Sequence, residues 1–260
     1  VNRSANVAAS QDANRNTFLA TNDALDAFCT DTGFTWDVFI EHALGRGEAT
    51  RQRWEREGER PVRYFGADLE DASVDAALEE RDAGNLPSDM VFIRNADIGK
   101  PETVIASVRA AGAKTEGAVM MVGNGFHEVR NQTDEKMARV FRAYQEAGMI
   151  LLFTEANALQ VQDLLNTAWN TYHAGFMYVH DKSGQGLRPA SRIPDERRSG
   201  ELQASWVECA TAAGYVRSEA HCSRSRTAYP TRPGGSGFNP AISANHFFVP
   251  RDLAELLGLV

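Results

Sequence analysis

An α/β fold built around a doubly wound, mostly parallel sheet is what this sequence predicts, on three observations. Short apolar runs of strand length recur at 38–40, 62–65, 91–93, 119–122 and 150–153, and longer stretches of helical spacing separate them. Each run is followed by a polar residue where the strand should end: Glu41, Asp68, Asp97, Asn124 and Glu155. After the first run comes a glycine turn, Gly45 and Gly47, and then a polar helical pattern from Glu48 to Glu57. Strands that alternate with helices have helices on both faces and take ligands at their carboxyl ends.

Composition narrows the choice of ligand. The 260 residues, 43% hydrophobic, suffice for one substantial core, and no stretch is apolar for long enough to cross a membrane. A formal charge of -8 and a pI near 5.3 argue against holding nucleic acid through its phosphates. A small-molecule partner is expected instead, and a homodimer is allowed for. Cys29, Cys209 and Cys222 form no CxxC pair, so neither a zinc knuckle nor a disulfide framework is indicated, and a reducing cytoplasm fits. The opening run VNRSANVAASQDANRN lacks the basic and apolar regions of a secretory signal and is expected to fray.

The elements follow in order. Phe18, Leu19, Ala24, Leu25 and Phe28 share a face, which predicts a helix from Thr17 to the stop at Asp31-Thr32-Gly33. It reads as packing over the sheet rather than as a lid, so residues 1–33 form a polar tail and covering helix ahead of a main domain at 34–260. Val38, Phe39 and Ile40 then make a buried strand ending at Glu41, and glycine at 45 and 47 lets the backbone turn sharply and approach a ligand. Pro61 opens a second strand through Val62, Tyr64 and Phe65, with Asp68 at its tip, where a carboxylate can accept from both hydroxyls of a ribose. A helix from Ser73 to Ala83 leads to a third strand ending near Asp97. Lys100-Pro101 starts the next helix, which Gly112 stops. A fourth strand ending at Asn124, a helix from Asp134 to Ala147 and a fifth strand, MILLFTEA, complete the repeat.

This order of features resembles the class I S-adenosylmethionine-dependent methyltransferases: an acid before a glycine turn (Glu41, Gly45, Gly47), an acidic second tip (Asp68), a polar third tip (Asp97, Ile98) and a polar fourth tip (Asn124, Phe126, His127). The resemblance spans roughly Phe34 to Pro250, and the family's usual glycine is Ala43 here. It implies a Rossmann-like, seven-stranded sheet whose last two strands, Tyr215 to Ala220 and Asn245 to Pro250, form a hairpin with the final one antiparallel. It also implies S-adenosyl-L-methionine as cofactor and S-adenosyl-L-homocysteine as product. Gly45 and Gly47 would pass beneath the methionine part, Glu41 would order the loop or meet the amino group, Asp68 would take the ribose, Asp97 with Ile98 the adenine, and Asn124 with Gly125 the sulfonium side. An NAD-binding oxidoreductase competes, but the turn reads Gly45-Arg46-Gly47-Glu48-Ala49-Thr50 and lacks the third glycine of GxGxxG. A non-catalytic binding or interaction domain is the rival from another class.

Methyl transfer to an oxygen or nitrogen needs alignment and, for most acceptors, a base. His127, with Glu128 beside it, is the first candidate, and no second histidine follows to make a zincin motif. No metal is expected. Trp169, Tyr172, His173, Phe176 and His180 recur at helical spacing after the fifth strand, so Tyr172 and His173 are second candidates, within a substrate or lid insertion around 166–200. From Lys182 to Arg232 nine basic residues face five acids, a balance of +4 against -12 elsewhere; such a rim can recruit an anionic acceptor.

Overall fold

The computed structural model describes residues 3–159, 165, 170–189, 204–227 and 241–260. Trp169 and the rest of 166–169, with 190–200, lie outside them, whereas 170–189 of the expected insertion are described. The element order is α1 (Arg3–Thr32), β1 (Val38–His42), α2 (Glu48–Glu57), β2 (Arg63–Ala67), α3 (Asp71–Asp82), β3 (Val91–Ile93), α4 (Glu102–Ala110), β4 (Val119–Gly123), α5 (Asp134–Glu146), β5 (Ile150–Ala156), α6 (Asn170–Lys182), α7 (Trp206–Ala212), β6 (Tyr215–Arg217), β7 (Ser223–Thr227), β8 (Ala241–Pro250) and α8 (Arg251–Leu256). The strands form one sheet in the order β3-β2-β1-β4-β5-β8-β6, with β7 also on β8. β1 to β5 run parallel, and β8 runs antiparallel to β5, β6 and β7.

This is the doubly wound sheet that the sequence predicts, with its final strand reversed. The expected sixth strand is broken in two: a 3-10 turn at Glu219–His221 interrupts it, and Ser218 donates its Oγ proton to, or accepts one from, His221 Nδ1 at 2.7 Å. His221 Nε2 also meets Asp31 Oδ2 at 3.1 Å, so the break is tied to the end of α1. Among the described residues, eight strands therefore occupy seven lanes.

Neighbouring residues along the central strands bury opposite faces. Ile40, Met120, Phe153 and Phe248 enter one core with Phe141, Tyr144 and Trp206, whereas Phe39, Met121, Leu152 and Phe247 enter a second with Phe18, Leu25 and Phe28. Burial on both faces explains why the strands read as continuous apolar runs rather than alternating ones. The opening segment, expected to fray, is helical from Arg3. No helix among the described residues is long and apolar enough to cross a membrane, and none of their side chains group as a metal site.

One core residue makes the fold sensitive to acid. His246 on β8 is 1% exposed, stacks on Phe153 and Phe248, and neither ring nitrogen has a hydrogen-bond partner among the described residues. Burial, with Arg217 adding to it, pushes its pKa down to about 3. As pH falls below the ordinary histidine value, the unfolded chain takes up a proton that the folded chain refuses, so stability present at neutral pH drains away at about 1.4 kcal/mol per pH unit. His246→Leu is expected to raise stability by about 1–3 kcal/mol at pH 7 and by a larger margin at pH 5. Urea denaturation at the two pH values measures both.

Candidate functional site

The loop after β1 is shaped from beneath by Glu41. Its carboxylate is 1% exposed and accepts from Ala49 N at 3.2 Å, Thr50 N at 2.7 Å and Thr50 Oγ1 at 2.6 Å. These N-H groups belong to the first turn of α2, whose N-cap, Gly47, offers no side chain. Burial pushes the Glu41 pKa up to about 7, against the pull of the Thr50 and Ala49 hydrogen bonds. Glu41 is thus a cap for α2 and lies off the cavity wall. Gly47 has φ +82° and sits against Leu86, where an added Cβ would approach Cδ1 to 2.8 Å; it is not among the residues that line the cavity.

Ala43 and Gly45 do line the cavity, both with positive φ, +57° and +54°. Alanine therefore occupies a conformation suited to glycine, at a cost of about 1–2 kcal/mol. Ala43→Gly is expected to stabilise the fold by about 1 kcal/mol; an unchanged denaturation midpoint would show that the loop relaxes elsewhere.

The cavity encloses about 530 Å³ at the carboxyl ends of β1, β2 and β4. Of the residues expected from sequence, it brings together Gly45, Asp68, Asp97, Ile98, Asn124, Gly125 and Glu128. Asp68 is buried, accepts from Gly45 N at 3.2 Å and Glu70 N at 2.9 Å, and burial raises its pKa. The second strand's tip is thereby fastened to the glycine loop. Asp97 accepts from Gly99 N at 2.9 Å, and the carbonyl of Ile98 accepts from Tyr144 Oη at 3.2 Å. At Gly125 a Cβ would come within 3.2 Å of Ala43 Cβ and 3.3 Å of Ile98 Cδ1, closing the passage between the loop and the third tip.

His127 stands behind this wall. It belongs to a 3-10 turn, Phe126–Glu128, whose backbone N-H groups at 126 and 127 donate to Glu155 Oε1 at 2.5 and 3.3 Å. Glu155 Oε2 meets His127 Nδ1 at 2.9 Å. Glu155 is fully buried, and although burial alone lowers the His127 pKa, the charge and hydrogen bond of Glu155 outweigh it and raise the value. Nδ1 is thus committed to Glu155. Nε2 is left as the nitrogen for proton exchange. Tyr172 and His173 fall within α6, and their side chains lie outside the described residues. The His180 ring of that helix lies 5.5 Å from the His127 ring.

Several wall residues escape the sequence reading, His42, Asn14 and Phe18 among them. His42 is 2% exposed; its Nδ1 accepts from Ala43 N at 2.8 Å, burial pushes its pKa down to about 4, and the proton therefore sits on Nε2, which has no partner among the described residues. The signal was its spacing, two residues from Ile40 and so on the same face. Asn14 and Phe18 of α1 also line the cavity, so the helix read as mere packing forms part of the site as well.

No protein-family model and no curated protein matches this chain. Among solved structures it is similar to a pericyclic reaction enzyme, at 15% identity over 82% of this chain and 43% of that one, with a TM-score of 0.47. It is similar to a SAM-dependent methyltransferase from Anabaena variabilis at 12% identity, over 93% and 95% of the two chains, with a TM-score of 0.49. A S-adenosylmethionine-dependent methyltransferase from Clostridium acetobutylicum is similar at 9% identity, over 90% and 92%, with a TM-score of 0.49. The chain spans less than half the length of the first and nearly all of the other two. At these values the chemistry of the cavity has to be read from its own walls.

Proposed function

We propose that the chain binds S-adenosylmethionine in this cavity and transfers its methyl group to an oxygen or nitrogen of a small-molecule acceptor. The charge of the wall carries this reading. Asp68, Glu70, Asp97 and Glu128 line it, together with Glu48, which is paired with Arg51, whereas Arg46, the one guanidinium among the described wall residues, is paired with Glu80. Such a wall favours a cation and opposes the pyrophosphate of a dinucleotide.

The residues present fit that cofactor. Asp68 is placed to accept from ribose hydroxyls, Asp97 and Ile98 to flank the purine, and Asn124 with Gly125 to face the sulfonium end, while Gly45 lets the ligand lie close to the backbone. Bound there, S-adenosylmethionine supplies an electrophilic methyl carbon whose bond to sulfur breaks as the acceptor's lone pair closes on it, leaving S-adenosylhomocysteine. The chain's own part is to align the acceptor and remove its proton. For an acceptor seated between the Glu128 wall and α6, where the His180 ring lies 5.5 Å from that of His127, His127 Nε2 takes that proton, and Glu155 holds the ring and stabilises its charged form. Tyr172 and His173 are the second candidates for the same role.

Calorimetry with S-adenosylmethionine, S-adenosylhomocysteine and NAD tests the binding step: the first two are expected to bind and NAD is not. Methyl transfer to a panel of small hydroxyl and amine acceptors tests the chemistry. Binding without turnover on any acceptor would favour the non-catalytic reading, and binding of NAD alone would overturn both.

A further inference from the structure

α1 passes from the core, which its second half enters, to the cavity wall. Phe18, Leu25 and Phe28 enter the core, and Phe18 also faces the cavity, where Asn14, one turn earlier, stands on the wall. Two contacts hold that part of the helix to the tip of β4. Phe18 lies so close to Gly123 that an added Cβ there would be 2.5 Å from its Cζ. Asn14 Oδ1 accepts from Asn124 Nδ2 at 3.1 Å, and Asn124 takes a φ of +57°, a conformation uncommon outside glycine.

We infer that Asn14 is a ligand-binding residue that receives the amino-acid end of the bound ligand. The inference rests on the proposed cofactor, and the sheet order supplies its geometry. Asp68 and the Asp97 loop follow β2 and β3, on one side of β1, whereas Asn124 and its partner Asn14 lie at the tip of β4, on the other. A ligand held by its nucleoside between Asp68 and Asp97 crosses the glycine loop and ends beside Asn14. A carboxamide carries both a donor and an acceptor, so it suits a group that bears an ammonium and a carboxylate together.

The test compares two ligands of the whole chain by calorimetry: S-adenosylhomocysteine and 5′-methylthioadenosine, which keeps the nucleoside and lacks the amino acid. In Asn14→Ala, affinity for S-adenosylhomocysteine is expected to fall about tenfold while that for methylthioadenosine changes less than about twofold, with an unchanged melting temperature. Gly123→Ala, which forces Phe18 and with it α1 away from the tip, is expected to weaken S-adenosylhomocysteine as well. Equal losses for both ligands in Asn14→Ala would mean a displaced wall rather than a lost contact, and would overturn the inference. So would unchanged affinity. If the unaltered chain binds neither ligand, the proposed cofactor itself fails, and that result is read before any variant is made.

Discussion

A His127→Ala variant is expected to turn over roughly 10²–10⁴-fold more slowly while binding cofactor almost as tightly as the unaltered chain. The separation follows from the architecture: His127 lies off the cavity wall, whereas Gly45, Asp68, Asp97 and Asn124 lie on it. Glu155 raises the His127 pKa above its ordinary value, and only the neutral ring can accept a proton. Turnover should therefore decline as pH falls through a value above 6.5. In Glu155→Gln the anion is lost, so that decline should move to lower pH. A pH profile of kcat/KM for the unaltered chain and for Glu155→Gln checks this, and a His127→Ala enzyme with near-normal turnover would move the role to Tyr172 or His173, each open to the same substitution.

Asp68→Ala is expected to weaken cofactor binding by roughly 1.5–3 kcal/mol, through the loss of a charge-assisted acceptor for the ribose. The same carboxylate accepts from Gly45 N and Glu70 N, so its removal also slackens the loop. Asp68→Asn, which keeps an acceptor oxygen, should lose less. Calorimetry of the two variants decides the matter, and full affinity in a folded Asp68→Ala chain would take the ribose away from the second strand's tip.

The central strands were legible because both of their faces are buried, which writes each as an unbroken apolar run, as in 38–40 and 150–153. The glycine loop and the polar tips were legible for the same reason, since they punctuate those runs. The first half of α1 was not: small and polar residues alternate through it, so no broad apolar stripe marks it in the sequence. Glu155 was visible only as a strand tip, because its pairing with His127 joins residues 28 apart. The parallel register of Gly123 with Thr154 brings those two tips together, and register is not written in either strand alone. Glu41 orders the loop by capping α2, one of the two roles the resemblance implied, and Gly47 packs on Leu86; neither is among the described residues that line the cavity.

β8 lies between β5 and the β6/β7 lane, not at the sheet's margin. Of the described strands, the last in chain order is therefore an interior one. While the polypeptide is being synthesised, β5 keeps an open hydrogen-bonding edge with Leu151 and Phe153 beside it until residues 241–250 have left the ribosome. Closure by such distant pairings is slow, and an open edge recruits neighbouring chains in the meantime. A premature stop before residue 241 would thus do more than shorten the domain: it would release a product prone to aggregate and dependent on chaperones.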